Sequence, residues 1–110
     1  MKDDTVYLKH IVDSINKIHT YAECGREEFR SKTHWQDAII RNLEIIGEAA
    51  KRVSESTRKK NNDIPWRSIA GMRDVLIHDY LGVDLDVVWN VVVNELPLLK
   101  KQICEVLEGD

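Results

Sequence analysis

The chain has 110 residues, 43% hydrophobic and 32% charged, the size and balance of one globular domain with no room for a second. Aromatics at 6%, two prolines and five glycines are too few for an all-β domain, which needs many turns and strands rich in aromatic or β-branched residues. A net charge of −3 with a pI near 5.8 excludes a protein that coats nucleic acid through bulk positive charge. No apolar run approaches the roughly 18 residues of a membrane span, and MKDDTVYLKH lacks the apolar stretch of a signal peptide, so a cytoplasmic protein with no membrane partner is expected. Cys24 and Cys104 are far apart and in no ligand spacing, so neither a disulfide framework nor a zinc site is indicated, and both are expected to be reduced and partly buried.

The first predicted element is an amphipathic helix. Asp3, Asp4 and Thr5 offer capping oxygens ahead of Leu8, Ile11, Val12, Ile15 and Ile18, which recur at helical spacing. It fades near Glu23 to Gly25, and Arg26 to Phe29 form a short turn before a fresh start at Ser31 or Thr33. The second helix runs from about His34 into the Ser54 to Thr57 region. Its stripe Ile39, Leu43, Ile46, Ala50, Val53 is widened by Ile40, Ile45 and Ala49, which predicts several packing partners, a second copy of the chain among them. The run Ser54 to Asp63 has no apolar residue and reads as the main exposed connection. A third helix covers Pro65 to Tyr80, with Gly71 as a break and Gly82 as terminator. The fourth begins near Asp84 to Asp86, carries Leu85, Val88, Trp89, Val92, Leu96, Leu99, Ile103 and Leu107, and is kinked or divided at Pro97. The expected architecture is an all-α bundle of four or five helices spanning residues 1–110 as one domain.

Charge is unevenly spread. Lys51 to Arg73 holds seven basic residues against Glu55 and Asp63, a net +5, which leaves −8 on the remainder. Such asymmetry marks either an anionic ligand site or a solvated lysine-rich loop. As a ligand site it would contact an anionic backbone through Arg52, Arg58, Lys59, Lys60 and Arg67.

No glycine-rich phosphate loop, HExxH or nucleophile elbow is present, and no cofactor or metal is implied. The dense polar constellation is RDVLIHDY, with Arg73, Asp74, His78, Asp79 and Tyr80. Arginine is a permanent cation suited to phosphate, and histidine exchanges protons near neutral pH, so the pair is a minimal kit for cleaving a phosphodiester. On an ideal helix Arg73 and Tyr80 share a face, while His78 lies about 140° from Arg73. Arginine's reach, a distorted last turn or a second subunit's copy of the segment can each close that gap. The bland alternative is a helix end at which His78 meets the dipole and Arg73 pairs with an acid.

Arg73-x4-His78-x-Tyr80 resembles the RX4HXY signature of the HEPN superfamily. QDAIIRNLEIIGEAAKRV from Gln36, IPWRSIAGMRDVLIHDY from Ile64, LGVDLDVVW from Leu81 and the earlier YLKHIVDSINKI are similar to its HepT-like toxin branch, over nearly the whole chain. The resemblance implies a helical HEPN domain in a symmetric homodimer, with two motif copies beside one interfacial cleft. It further implies a metal-independent endoribonuclease toxin of a type VII system, paired with a minimal nucleotidyltransferase antitoxin that attaches AMP to the motif tyrosine. The matching positions are Arg73 and His78 for catalysis and Tyr80 for catalysis or modification.

Asn42 and Glu48 on the second helix, and Asp79 within the motif, are candidate supporting residues; a helix-packed Asn42 and a surface ion pair for Glu48 are their bland readings. His10, His19 and His34 lie at no catalytic or metal-ligand spacing, and Trp66 and Trp89 read as core anchors. The alternative function is a non-catalytic HEPN accessory subunit that binds nucleotide or RNA beside the nucleotidyltransferase; a purely structural helical dimer is a third.

Overall fold

A computed structural model describes the backbone of residues 2–78 and 84–109 and the side chains of residues 4–72 and 84–109. In chain order the elements are α1 (Lys2–Ala22), α2 (Arg26–Ser31), α3 (Thr33–Arg52), α4 (Glu55–Lys60), α5 (Trp66–His78), α6 (Leu85–Asn90), a π-helical turn (Val91–Glu95) and α7 (Leu96–Gly109). The described residues are all-α, and include no strand. None of their helices is long and apolar enough to cross a membrane.

Helical periodicity places the core. Leu8, Ile11, Ile15 and Ile18 form one stripe of α1, and Ile39, Leu43, Ile46 and Ala50 form one of α3; all are essentially inaccessible to solvent. These stripes face each other where α1 packs along α3, while α7 also packs against α1 and adds Leu96, Leu99 and Ile103 to the same core, and α5 lies against α3. The widened face of α3 is largely absorbed within the chain. Ile40 and Ala49 are buried, whereas Ile45 stays exposed.

α1 ends as expected, and Gly25, at φ 92° and ψ 163°, makes the sharp turn into α2, a backbone region open essentially to glycine alone. The segment after it is a short helix rather than a turn. Phe29 is fully buried, and the Gln36 side-chain amide donates to the carbonyls of Phe29 and Arg30 at 3.0 Å each, satisfying the end of α2.

Four further expectations need correction. α3 stops at Arg52, before the Ser54 to Thr57 region, because Val53 is extended and buried. The polar run after it contains α4, with Ser54 as its N-cap accepting from the Thr57 amide at 3.3 Å, Glu55 in the first turn and Arg58, Lys59 and Lys60 in the last. That charge order suits the helix dipole, and no apolar period was there to reveal it. Asp4 does not cap α1. It lies within that helix, and its carboxylate accepts from the Ser54 amide at 2.8 Å, Ser54 Oγ at 2.6 Å and Thr57 Oγ1 at 2.5 Å. Finally, α5 continues through Gly71 without a break; Gly82 lies outside the described residues.

The division of the last helix falls at the π-helical turn Val91–Glu95, directly before Pro97. Pro97 supplies no amide, and its ring crowds the carbonyl four residues earlier, that of Val93. The wider turn relieves this, and the Leu96 amide donates to the Val91 carbonyl five residues back.

Candidate active site and nucleic-acid interface

Arg73 and His78 lie on one continuous helix, α5, begun by Pro65, whose carbonyl accepts from the Ile69 amide at 3.0 Å. Trp66 anchors its first turn, only 7% exposed, with its indole N–H donating to the Asn61 carbonyl at 3.0 Å. The side chains of Arg73 and His78, and Asp79 and Tyr80 altogether, lie outside the described residues. The helix carrying the motif packs along α3, the helix that supplies two of the three proposed supporting residues, Asn42 and Glu48. Asn42 is buried, and its Nδ2 donates to the Ala38 carbonyl at 2.9 Å. Glu48 accepts from Arg52 Nε at 3.2 Å and pairs with Arg52 Nη2 at 3.2 Å.

The proposed RNA-backbone residues divide by environment. Arg52 is exposed but engaged, and the Tyr7 hydroxyl together with the Glu48 carboxylate holds its guanidinium above the ordinary arginine value. Lys59 pairs with Glu55 at 3.0 Å along α4, while Lys60 and Arg67 are exposed. Arg58 is half-buried, with Nε shielded from solvent and without a hydrogen-bond partner among the described residues. α4 thus presents a basic end whose seat is the Asp4 knot. Burial pushes the Asp4 carboxyl up, but the hydrogen bonds from Ser54 and Thr57 outweigh it and leave it below the usual carboxylate value.

A second polar cluster escaped the sequence reading. Asp86 Oδ1 accepts from Arg26 Nη2 at 3.1 Å and from Arg30 Nη1, tying α6 to α2. These guanidinium groups, Arg30 first and Arg26 second, hold the Asp86 carboxyl below its ordinary value. Asp84 meanwhile caps α6, accepting from the Asp86 amide at 2.9 Å. The only sequence cue was an arginine pair four apart on α2; its carboxylate lies more than fifty residues away.

Among the described residues no group of three or more His, Cys, Asp and Glu side chains could hold a metal ion. His10 meets Tyr7 edge-on at 6.4 Å and His34 lies 4.8 Å from Trp35. Cys24 and Cys104 are free and half-buried, and burial raises the Cys24 thiol, with the Glu28 charge adding to it.

The profile of the ribonuclease HepT-like family matches residues 11–106, a span that contains the whole Arg73, His78 and Tyr80 motif. The chain belongs to this family. A Methanocaldococcus jannaschii protein named "Gamma-glutamylcyclotransferase and putative RNase" is 45% identical over 97% of this chain, which spans 49% of that relative's length. "Putative RNase TTE0752" of Caldanaerobacter subterraneus is 39% identical over 100% of this chain and 99% of its own. "Probable ribonuclease HepT" of Thermococcus cleftensis is 43% identical over 86% of each. No solved structure matches significantly. For a HepT-like ribonuclease the substrate class is RNA, and the last turn of α4 carries three basic residues, Arg58, Lys59 and Lys60.

Proposed function

We propose that this HepT-like ribonuclease is a metal-independent endoribonuclease toxin of a type VII pair, active as a homodimer and silenced by a minimal nucleotidyltransferase antitoxin. The observation that carries the reading is the complete Arg73, His78 and Tyr80 set inside the matched span 11–106. His78 takes the proton from a ribose 2'-hydroxyl, whose oxygen attacks the adjacent phosphorus. The bond from phosphorus to the 5'-oxygen breaks, and the partner subunit's His78 supplies the proton that the leaving oxygen takes up. Arg73 holds the phosphate and stabilises the charge that grows on it. Products carry a 2',3'-cyclic phosphate and a 5'-hydroxyl, and a DNA strand is not cut because it lacks the nucleophile.

Inhibition follows from the same site. The Tyr80 oxygen attacks the α-phosphate of ATP, releasing pyrophosphate, and the attached AMP puts an anion beside Arg73. Asn42, Glu48 and Asp79 support the pair, and Arg52, Arg58, Lys59, Lys60 and Arg67 hold the RNA backbone.

The test is cleavage of RNA by purified wild type and His78→Ala in excess chelator. Loss of a positioned acid or base costs about 10² to 10⁴ in rate. Equal activity in the two proteins overturns the mechanism; intact RNA with both, and no toxicity on expression, favours the non-catalytic accessory subunit. An AMP-sized increment in intact mass after incubation with the antitoxin and ATP, absent in Tyr80→Phe, tests the inhibition.

A further inference from the structure

Between α2, α6 and the π-helical turn lies a cavity of about 290 Å³ lined by Arg26, Asp86, Trp89, Asn90, Val93 and Asn94. We infer that Arg26, Arg30, Trp89, Asn90 and Asn94 form a nucleotide subsite of the RNA path, with the arginines on a backbone phosphate and the indole and amides beside its base. This rests on the RNA reading above and adds to it a place where the strand is gripped.

The arginines are the first reason. Both guanidinium groups converge on one carboxylate oxygen of Asp86, and both remain about half exposed, at 58% and 49%. Two cations on one anion leave a net positive charge, and each group keeps donors free of that oxygen. Guanidinium donors match the paired oxygens of a phosphate, so a second anion relieves the repulsion between the two cations.

The wall beside them is suited to a base. Trp89 is only partly buried, and its ring centroid lies 5.3 Å from that of the fully buried Phe29, which fixes the indole. Stacking on such a platform tolerates any base. Asn94 Nδ2 donates to Asn90 Oδ1 at 2.6 Å, leaving Asn90 Nδ2 and Asn94 Oδ1 without a hydrogen-bond partner among the described residues, a donor and an acceptor for a base edge. Asn94 lies in the π-helical turn Val91–Glu95 that precedes Pro97, and turns of this kind are frequent at functional sites.

Chain length sets the distance to the motif. Asp84, which caps α6, follows His78 by six residues, so their Cα atoms are no more than about 22 Å apart. A strand bound at the motif thus reaches the arginines within a few nucleotides.

The test uses the full-length protein and a fluorescent 2'-O-methyl oligoribonucleotide, which cannot be cleaved by 2'-oxygen attack, with affinity read by anisotropy over a range of salt. Arg26→Gln with Arg30→Gln is expected to weaken binding and reduce the salt slope by about 0.7 for each phosphate no longer neutralised. Asp86→Asn works in the opposite direction: it frees both guanidinium groups and tightens binding several-fold. Asn90→Ala with Asn94→Ala weakens binding at unchanged slope. Unchanged or weaker binding by folded Asp86→Asn means that the arginines only tie α2 to α6, and overturns the inference. If wild type binds and responds to Lys59→Glu with Lys60→Glu but to none of the cavity variants, the subsite alone falls. If wild type does not bind the oligonucleotide at all, the RNA reading falls with it.

Discussion

Asp4 and Asp86 each accept hydrogen bonds from residues fifty or more positions away, yet they work in opposite surroundings. Asp4 is 5% exposed and meets only neutral donors, the Ser54 amide and the hydroxyls of Ser54 and Thr57. Asp86 is about half exposed and meets two full charges, Arg26 and Arg30. The stronger partners do not make the stronger tie. Around Asp4 the donors lose water on folding and depend on the carboxylate, whereas at Asp86 every group stays about half exposed and the pairing adds little. The buried knot therefore belongs to the fold. At the exposed one, Phe29 and Trp89 make an apolar contact between α2 and α6, and the charges above it stay about half exposed.

Breaking that apolar contact tests the comparison most severely. Phe29→Ala is expected to cost about 3 to 5 kcal/mol of stability in urea unfolding; a loss no greater than that of Asp86→Asn would show that the ion pair carries the junction after all. Asp4→Ala comes next, at about 1 to 3 kcal/mol, because three donors lose their acceptor. Its effect also depends on pH. The folded carboxyl titrates below its unfolded value, so its contribution is fully present above about pH 4 and disappears as pH falls through the lower folded value. The gap between wild type and Asp4→Ala should therefore close in strong acid, and a constant gap would mean that the carboxylate charge is not what the knot uses. Asp86→Asn is the smallest, with no measurable shift in the urea midpoint expected.

The long helices were legible because their burial is periodic. Leu8 to Ile18 and Ile39 to Ala50 each form a stripe at 3.6-residue spacing, and the stripes became the seam between α1 and α3. α4 was not legible, since a helix held by an N-cap and a distant aspartate leaves no apolar period to read. Pro97 announced a disruption, but its form, a π-helical turn placed just ahead of the proline, depends on how the helix relieves the crowded Val93 carbonyl while keeping Val92 and Leu96 in the core.

For function the division is similar. Arg73, His78 and Tyr80 lie within eight consecutive residues, so the motif and the HepT-like ribonuclease family follow from chain order alone, as does the all-α class. The basic stretch was equally visible as composition. Which of its members are engaged is partly local and partly tertiary: Arg52 meets Glu48 and Lys59 meets Glu55 one turn back on the same helix, Tyr7 reaches Arg52 from α1, and Lys60 and Arg67 remain in solvent. The two aspartate ties and the cavity of Arg26, Trp89, Asn90 and Asn94 belong to the tertiary structure alone. A local pattern reports only neighbours within a turn or two, whereas these groups meet because α1, α2 and α6 are brought together by the hydrophobic core beneath them.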